Sequence, residues 1–203
     1  SLWQERVLRE EDQRALIHAS IALCRHGAPS LSHRILKKLN QIPFDSLAAE
    51  DQLALLRAYS LCFIRLGQPA PALINVVIGN LDPFFPADDE QVNTELCRVL
   101  SYLDAPLVVK KTISLMKTTE TRTLDYDKEM LSRHEYGKEI LKTMANTPNS
   151  QNIQYAYSLR RVQNGWTLAD RKYFFSWMNE TLRKSGGKSF AGYMRAIRED
   201  AIQ

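Results

Sequence analysis

The chain contains 203 residues, of which 44% are hydrophobic and 25% are charged, and its formal net charge is +4. This composition excludes an intrinsically disordered chain and a collagen-like repeat, and no apolar run approaches the roughly 20 residues that a membrane-spanning helix requires. Because the chain has only 8 glycines, an all-β fold with many tight turns is disfavoured. The composition favours a soluble helical protein.

Four prolines divide the chain at regular intervals. Pro29, Pro69, Pro106 and Pro148 are separated by 40, 37 and 42 residues, and each follows a long amphipathic segment and precedes a shorter one. Because proline cannot continue a helix but fits the first turn of the next, each marks a tight turn between two helices. Such a unit repeated about every 40 residues is typical of helical arrays. We therefore predict an all-α fold, a HEAT/armadillo-like α-α superhelix that forms a right-handed solenoid.

The spacing of apolar residues at steps of three and four predicts about ten helices in five pairs. The predicted helices are 10–26, 30–41, 46–66, 70–80, 89–103, 106–118, 126–145, 149–163, 168–184 and 189–201. Stacked repeats bury a shared core, so we expect residues 1–203 to form a single helical-repeat domain. A start without Met indicates a fragment of a larger multidomain protein.

Local signals place several helix ends in the C-terminal part of the chain. Thr167 is the predicted N-cap of one helix, and Asp170 three residues later completes a capping-box-like pair. Gly165 is expected to close the preceding helix. Ser189 is expected to cap the last helix.

The cysteines and histidines do not predict a metal site. Three cysteines occur inside apolar helical segments, where a thiol behaves as a small hydrophobic group, so we expect them to be buried. They are Cys24, Cys62 and Cys97. His18, His26 and His33 lie near the first cysteine, but the spacing does not match a four-ligand zinc site. We predict no metal and no cofactor in this chain.

Positive charge is concentrated at the C-terminal end. Residues 151–203 contain nine basic and four acidic side chains, which gives +5, whereas the other 150 residues contribute −1. Such an excess favours an acidic partner, an anionic lipid or nucleic acid, although solvated helix faces would also account for it. The candidate binding residues are Arg160, Arg161, Arg171, Lys172, Lys188 and Arg195.

No arrangement of residues along the chain predicts an enzyme. His134-Glu135 begins like the zinc motif H-E-x-x-H, but position 138 is Lys. The segment 185–189 resembles the end of a phosphate-binding loop, but Leu182 occupies the position of its first glycine. Aromatic residues are also frequent in the C-terminal region. Among them, Phe174 and Trp177 lie with Met178 on one helical face, and this spacing indicates a core face. We predict no catalytic residue.

Four segments carry a resemblance to a known family. These are 56–69 (LRAYSLCFIRLGQP), 81–116, 153–178 and 186–202, with N-x-E-L-C-R-x-L, G-W-T and G-G-x-S-F among their motifs. In this order they resemble the HEAT-repeat region of large exported bacterial proteins. Those proteins combine a propeller of the membrane-bound-dehydrogenase or sorbosone-dehydrogenase type, helical repeats and a c-type cytochrome domain.

The resemblance implies a role but no chemistry for this chain. It implies a non-catalytic scaffold or protein-docking segment, in a periplasmic or cell-surface setting. Its expected partners are neighbouring domains of the same polypeptide or another protein. Haem c would belong to an adjacent domain, because this chain lacks the C-x-x-C-H attachment motif.

Two alternative functions remain open at the level of sequence. A HEAT-like DNA-binding protein or DNA glycosylase would place Trp166, Trp177 and a carboxylate near Asp170 in one concave basic cleft. A peptide-binding adaptor would expose an apolar groove along the array. We do not expect nucleic acid to be the partner, and we expect no membrane-spanning helix.

Overall fold

The computed structural model describes residues 2–119, 128–185 and 188–203. Within these ranges the chain forms twelve α-helices and no β-strand, which confirms the all-α prediction. The chain divides into two compact units, Ser1–Val108 and Val109–Gln203. None of the described helices combines the length and the apolar character needed to cross a membrane.

Unit 1 contains six α-helices, joined in part by short 3-10 turns. The helices are α1 (Leu2–Val7), α2 (Gln13–His26), α3 (Ser32–Leu39), α4 (Ala49–Leu66), α5 (Pro71–Leu81) and α6 (Glu90–Tyr102). The 3-10 turns are Pro29–Leu31, Phe44–Ser46 and Asp82–Phe84.

The remaining six helices follow from the end of unit 1. They are α7 (Val108–Thr118), α8 (Lys128–Ser132), α9 (Glu135–Ala145), α10 (Ser150–Leu159), α11 (Leu168–Thr181) and α12 (Phe190–Ile202). In unit 2, α12 packs against both α10 and α11. The buried residues of α12 are Met194 and Ile197, and those of α10 and α11 include Tyr155, Phe174 and Met178.

The helices of unit 1 pack in a regular succession. α2 packs against α4, α4 packs against α6, and α3 contacts α2, α4 and α5. The predicted apolar spacing accounts for this burial, because residues at steps of three and four occupy one helix face. All three cysteines are buried, as the sequence predicts. A hydrogen bond with the Cys62 thiol, together with burial, raises the pKa of Cys24.

A polar link fixes α3, α4 and α5 together inside this apolar packing. The hydroxyl of Tyr59 in α4 donates to Asn40 Oδ1 at 2.6 Å. Asn80 Nδ2 in α5 donates to the carbonyl oxygen of Asn40 at 3.0 Å. Because Tyr59 is 1% exposed, its hydroxyl needs a protein partner, and burial raises its pKa.

The predicted cap of α11 is confirmed in full, whereas the other two predicted helix ends differ. Thr167 and Asp170 form a full capping box: Asp170 N donates to Thr167 Oγ1 at 3.1 Å, and Thr167 N donates to Asp170 Oδ2 at 3.3 Å. Ser189 occupies the N-cap position of α12, but its side chain makes no capping hydrogen bond. The expectation for Gly165 is wrong, because α10 ends at Leu159 and Gly165 lies in the following loop with φ 80°.

Other helix boundaries differ from the prediction for tertiary reasons. The predicted helix 126–145 is two helices, α8 and α9, and its first two residues lie outside the described ranges. A side chain at Gly137 would overlap the carbonyl oxygen of Leu131, so glycine permits the close approach of α9 to the end of α8. The short helix α1 is not predicted by the proline pattern.

Removing the Tyr59 hydroxyl should weaken unit 1. In Tyr59→Phe the half-buried Asn40 Oδ1 loses its donor, so we expect the free energy of unfolding in urea to fall by about 1–2 kcal/mol. Tyr102→Phe is the matched control, because both rings stack on Phe63 but Tyr102 is 50% exposed. The control should change stability by less than about 0.5 kcal/mol. Equal losses in the two variants would contradict the assigned role of the hydrogen bond.

Candidate functional site

The structure brings three of the six candidate binding residues together. Arg160, Arg161 and Arg171 line a cavity of about 540 Å³ in unit 2, here called the basic cavity. Its other described lining residues are Val162, Gln163, Asp200, Ala201, Ile202 and Gln203. Lys172, Lys188 and Arg195 are exposed but do not line it.

The end of α10 positions the first two arginines. The helix ends at Leu159, so Arg160 and Arg161 begin the loop that leads to α11. Val162 is buried, and its carbonyl oxygen accepts a hydrogen bond from Trp166 Nε1 at 2.8 Å. This bond lies within the loop that begins with the two arginines, and both arginines pair with Asp200 of α12.

Among the described residues that line the basic cavity, Asp200 is the one with an acidic side chain. Its Oδ2 accepts from Arg160 Nε at 2.9 Å and from Arg161 Nε at 3.2 Å. Partial burial raises the pKa of Asp200, but the hydrogen bonds and charges of the two arginines outweigh it and lower the pKa below its ordinary value of 3.8. One carboxylate therefore serves two guanidinium groups.

Arg160 has a mainly structural role. Its side chain is 19% exposed, its guanidinium Cζ lies 3.6 Å from the centre of the Tyr157 ring, and its Nη1 donates to the carbonyl oxygen of Tyr157. Tyr157 in turn stacks on Tyr193 of α12, with ring centres 5.9 Å apart. Arg160 thus joins α10 to α12 through both its charge and its planar face.

Arg161 and Arg171 remain available to a ligand. The Arg161 side chain is 73% exposed even though its Nε reaches Asp200. Arg171 is exposed, and its Cζ lies 5.3 Å from the centre of the Trp166 ring. Among the described residues, no acidic side chain forms an ion pair with Arg171. A planar guanidinium held in this way can bind a carboxylate or phosphate through two hydrogen bonds.

The constellation expected of a DNA glycosylase does not line the basic cavity. Neither Trp166 nor Trp177 is among the described lining residues. Asp170 accepts from Thr167 in the capping box, which accounts for its position. The segment 185–189 lies partly outside the described residues.

The histidines and the first cysteine lie in different environments. His18, His26 and His33 are exposed, whereas Cys24 is buried. Across the described ranges, no group of three or more His, Cys, Asp or Glu side chains is arranged to hold a metal ion.

A second concave surface lies in unit 1 between α4 and α6. This α4/α6 groove has a volume of about 580 Å³ and a predominantly apolar lining. It is lined by Leu53, Ala54, Arg57, Ser60, Leu61, Ile64, Gln91, Thr94, Glu95 and Arg98. An exposed apolar groove is the feature that the peptide-adaptor alternative requires.

Sequence reasoning missed Asp200, the residue that pairs with two of the three arginines of the cavity. It lies 40 residues after Arg160, so no local motif connects the two. A count of charges finds the basic region but does not reveal the pairing. Comparison of the chain with protein-family models, curated proteins and solved structures found no match.

Loss of the Asp200 charge should destabilise unit 2 in a pH-dependent way. A carboxylate with a lowered pKa in the folded protein contributes stability above its ordinary pKa, here 3.8, and loses it as the pH falls through the lowered value. We therefore expect Asp200→Asn to lower the midpoint of urea unfolding at neutral pH. The difference in midpoint between this variant and wild type should disappear as the pH falls below the ordinary pKa of the carboxyl group, 3.8.

The neighbouring substitution Glu199→Gln provides the control. Glu199 is exposed and forms no ion pair with the described residues, so its urea midpoint should follow that of wild type at each pH. A gap between wild type and Asp200→Asn that persists unchanged in acid would contradict the prediction.

Proposed function

We propose that this chain is a non-catalytic helical-repeat segment that docks an acidic protein partner through the basic cavity. In the proposed architecture the helices form a HEAT/armadillo-like right-handed superhelix within a larger exported haem c/dehydrogenase-like protein. The exported setting is supported by the sequence resemblance. The docking role is supported by the geometry of the cavity.

Contacts between residues one repeat apart support the repeat architecture. In unit 1, Asn80 contacts Asn40, and Arg14 pairs with Glu50 at 3.2 Å. The described residues of unit 2 form four more hydrogen bonds at separations of 36 to 40 residues. They join Asn152 to Met116, Asn146 to Ser185, and both Arg160 and Arg161 to Asp200. In a stacked array each repeat contacts mainly its sequence neighbour, so separations of one period are the expected pattern.

The observation that carries the docking proposal is the unbalanced charge of the basic cavity. Three guanidinium groups line it, whereas Asp200 is the acidic side chain among its described lining residues. That carboxylate is already shared by Arg160 and Arg161. A partner carboxylate at Arg171 and Arg161 would complete the hydrogen bonding of these donors without displacing an existing pair.

The aromatic residues favour a protein partner over single-stranded nucleic acid. Nucleic-acid surfaces of that kind combine positive charge with open aromatic faces on which bases stack. Here Arg160 lies over Tyr157, and Arg171 lies near the face of Trp166. Each of these two rings therefore already contacts an arginine of the same cavity.

Charge reversal in the basic cavity should weaken binding of an acidic probe. The probe is a fluorescein-labelled oligoglutamate peptide, and its anisotropy is measured at low and physiological salt. For Arg161→Glu/Arg171→Glu we expect Kd to rise about tenfold or more. Because Arg161 also pairs with Asp200, the single variant Arg171→Glu repeats the test without breaking that pair.

The matched control is Arg183→Glu/Arg198→Glu, which changes the net charge equally at exposed positions outside the cavity. It should shift Kd by less than about threefold, because distant surface charges are screened. Equal weakening in both double variants would show that net charge alone attracts the probe. Tighter binding of a DNA duplex than of oligoglutamate at the same salt would favour the nucleic-acid alternative.

A further inference from the structure

We propose that the α4/α6 groove of unit 1 binds a short amphipathic α-helix that carries carboxylates beside its apolar face. This site is separate from the basic cavity, which lies in unit 2. The proposal rests on the dimensions of the groove, on its lining and on one exposed arginine within it.

The dimensions of the groove match about three turns of helix. Its α4 side runs from Leu53 to Ile64, and its α6 side runs from Gln91 to Arg98. At about 1.5 Å per residue these stripes extend roughly 16 Å and 10 Å. The residues of each stripe follow an i, i+3, i+4 pattern, so each helix presents one continuous face to the groove.

The lining supplies apolar contacts that the fold of unit 1 leaves partly exposed. Leu53, Leu61 and Ile64 provide the larger apolar side chains, whereas Ala54 and Ser60 are small. Ile64 is 73% exposed, and the half-buried Leu53 and Leu61 lie on the same face of α4. Apolar side chains that share one accessible face in this way are a feature of interaction surfaces.

The walls of the groove favour a helical ligand over an extended one. Both walls are α-helices, whose interior backbone groups are bonded within the helix and offer no pairing edge. An extended peptide would have to bury its own N–H and C=O groups without partners. An amphipathic helix satisfies its backbone internally and presents apolar residues at i, i+3, i+4 and i+7.

The charges in the groove favour carboxylates on that helix. Arg98 forms an ion pair with Glu95 at 2.6 Å. Arg57 lies in the middle of the α4 stripe, is exposed, and has no acidic partner among the described residues. A carboxylate that flanks the apolar face of the ligand would pair with Arg57, which fixes orientation and selects against basic helices.

The test uses three labelled probe peptides with the full chain. The first is a helix-stapled peptide of about three turns, with leucines on one face and glutamates beside them. The second replaces the glutamates with lysines, and the third is unstapled and interrupted by proline. By fluorescence anisotropy we expect the acidic helix to bind about tenfold more tightly than either other probe.

Two pairs of variants locate the binding site. Ile64→Asp should weaken the acidic helix about tenfold or more, whereas Val76→Asp, at another exposed apolar residue of unit 1, should leave it within about threefold. Arg57→Glu should remove the preference for the acidic helix and shift it toward the lysine probe. Arg65→Glu, on the same helix but outside the groove, should preserve it.

Three results of the peptide-binding experiments would overturn the proposal. They are absence of binding by the acidic helix, equal binding by the proline-interrupted peptide, and equal effects of each variant and its control. Self-association of the chain that is lost in Ile64→Asp but kept in Val76→Asp would also overturn it, because a second copy would then cover the groove. All four substitutions lie in unit 1, so these results are independent of those for the basic cavity.

Discussion

The structure of unit 1 depends on the burial of α4 against several neighbours at once. α4 contacts α2, α3 and α6, so its sequence must supply apolar residues in more than one direction. Its buried residues are Leu55, Leu56, Ala58, Tyr59, Cys62, Phe63 and Leu66. The hydroxyl of Tyr59 lies in this core and requires a hydrogen-bond acceptor. Asn40, at the junction of α3, α4 and α5, provides it. The α4/α6 groove lies where this packing leaves part of the α4 surface uncovered.

The helical fold could be predicted because its signals are local. Proline at the turns and apolar residues at steps of three and four are both properties of short segments, and ten helices follow from them. The break between α8 and α9 could not be found in this way. It depends on the backbone of Leu131 lying against Gly137, and a contact of that kind has no periodic signature. The prediction that Gly165 closes the preceding helix was wrong for a related reason. A glycine near the end of a helix does not reveal how many loop residues separate it from that end.

The candidate site was predictable in composition but not in geometry. A count of charges identifies the C-terminal region, and three of its residues do line one cavity. The count cannot distinguish Arg160, which stacks on Tyr157 and pairs with Asp200, from Arg171, which has no acidic partner among the described residues. That distinction arises when α12 packs against α10 and brings Asp200 to the cavity. Burial and ion pairing thus give Arg160 a structural role, whereas Arg171 stays available to a ligand.

The two proposed surfaces differ in the force that would hold a partner. Binding at the basic cavity would rest on charge, and exposed charges are screened within about 8–10 Å at physiological ionic strength. Binding in the α4/α6 groove would rest mainly on removal of apolar area from water, which moderate salt does not weaken. Arg57 adds direction to that contact rather than most of its strength. The salt dependence of a native partner therefore distinguishes the surfaces: affinity that falls steeply with salt indicates the cavity, and affinity that persists indicates the groove.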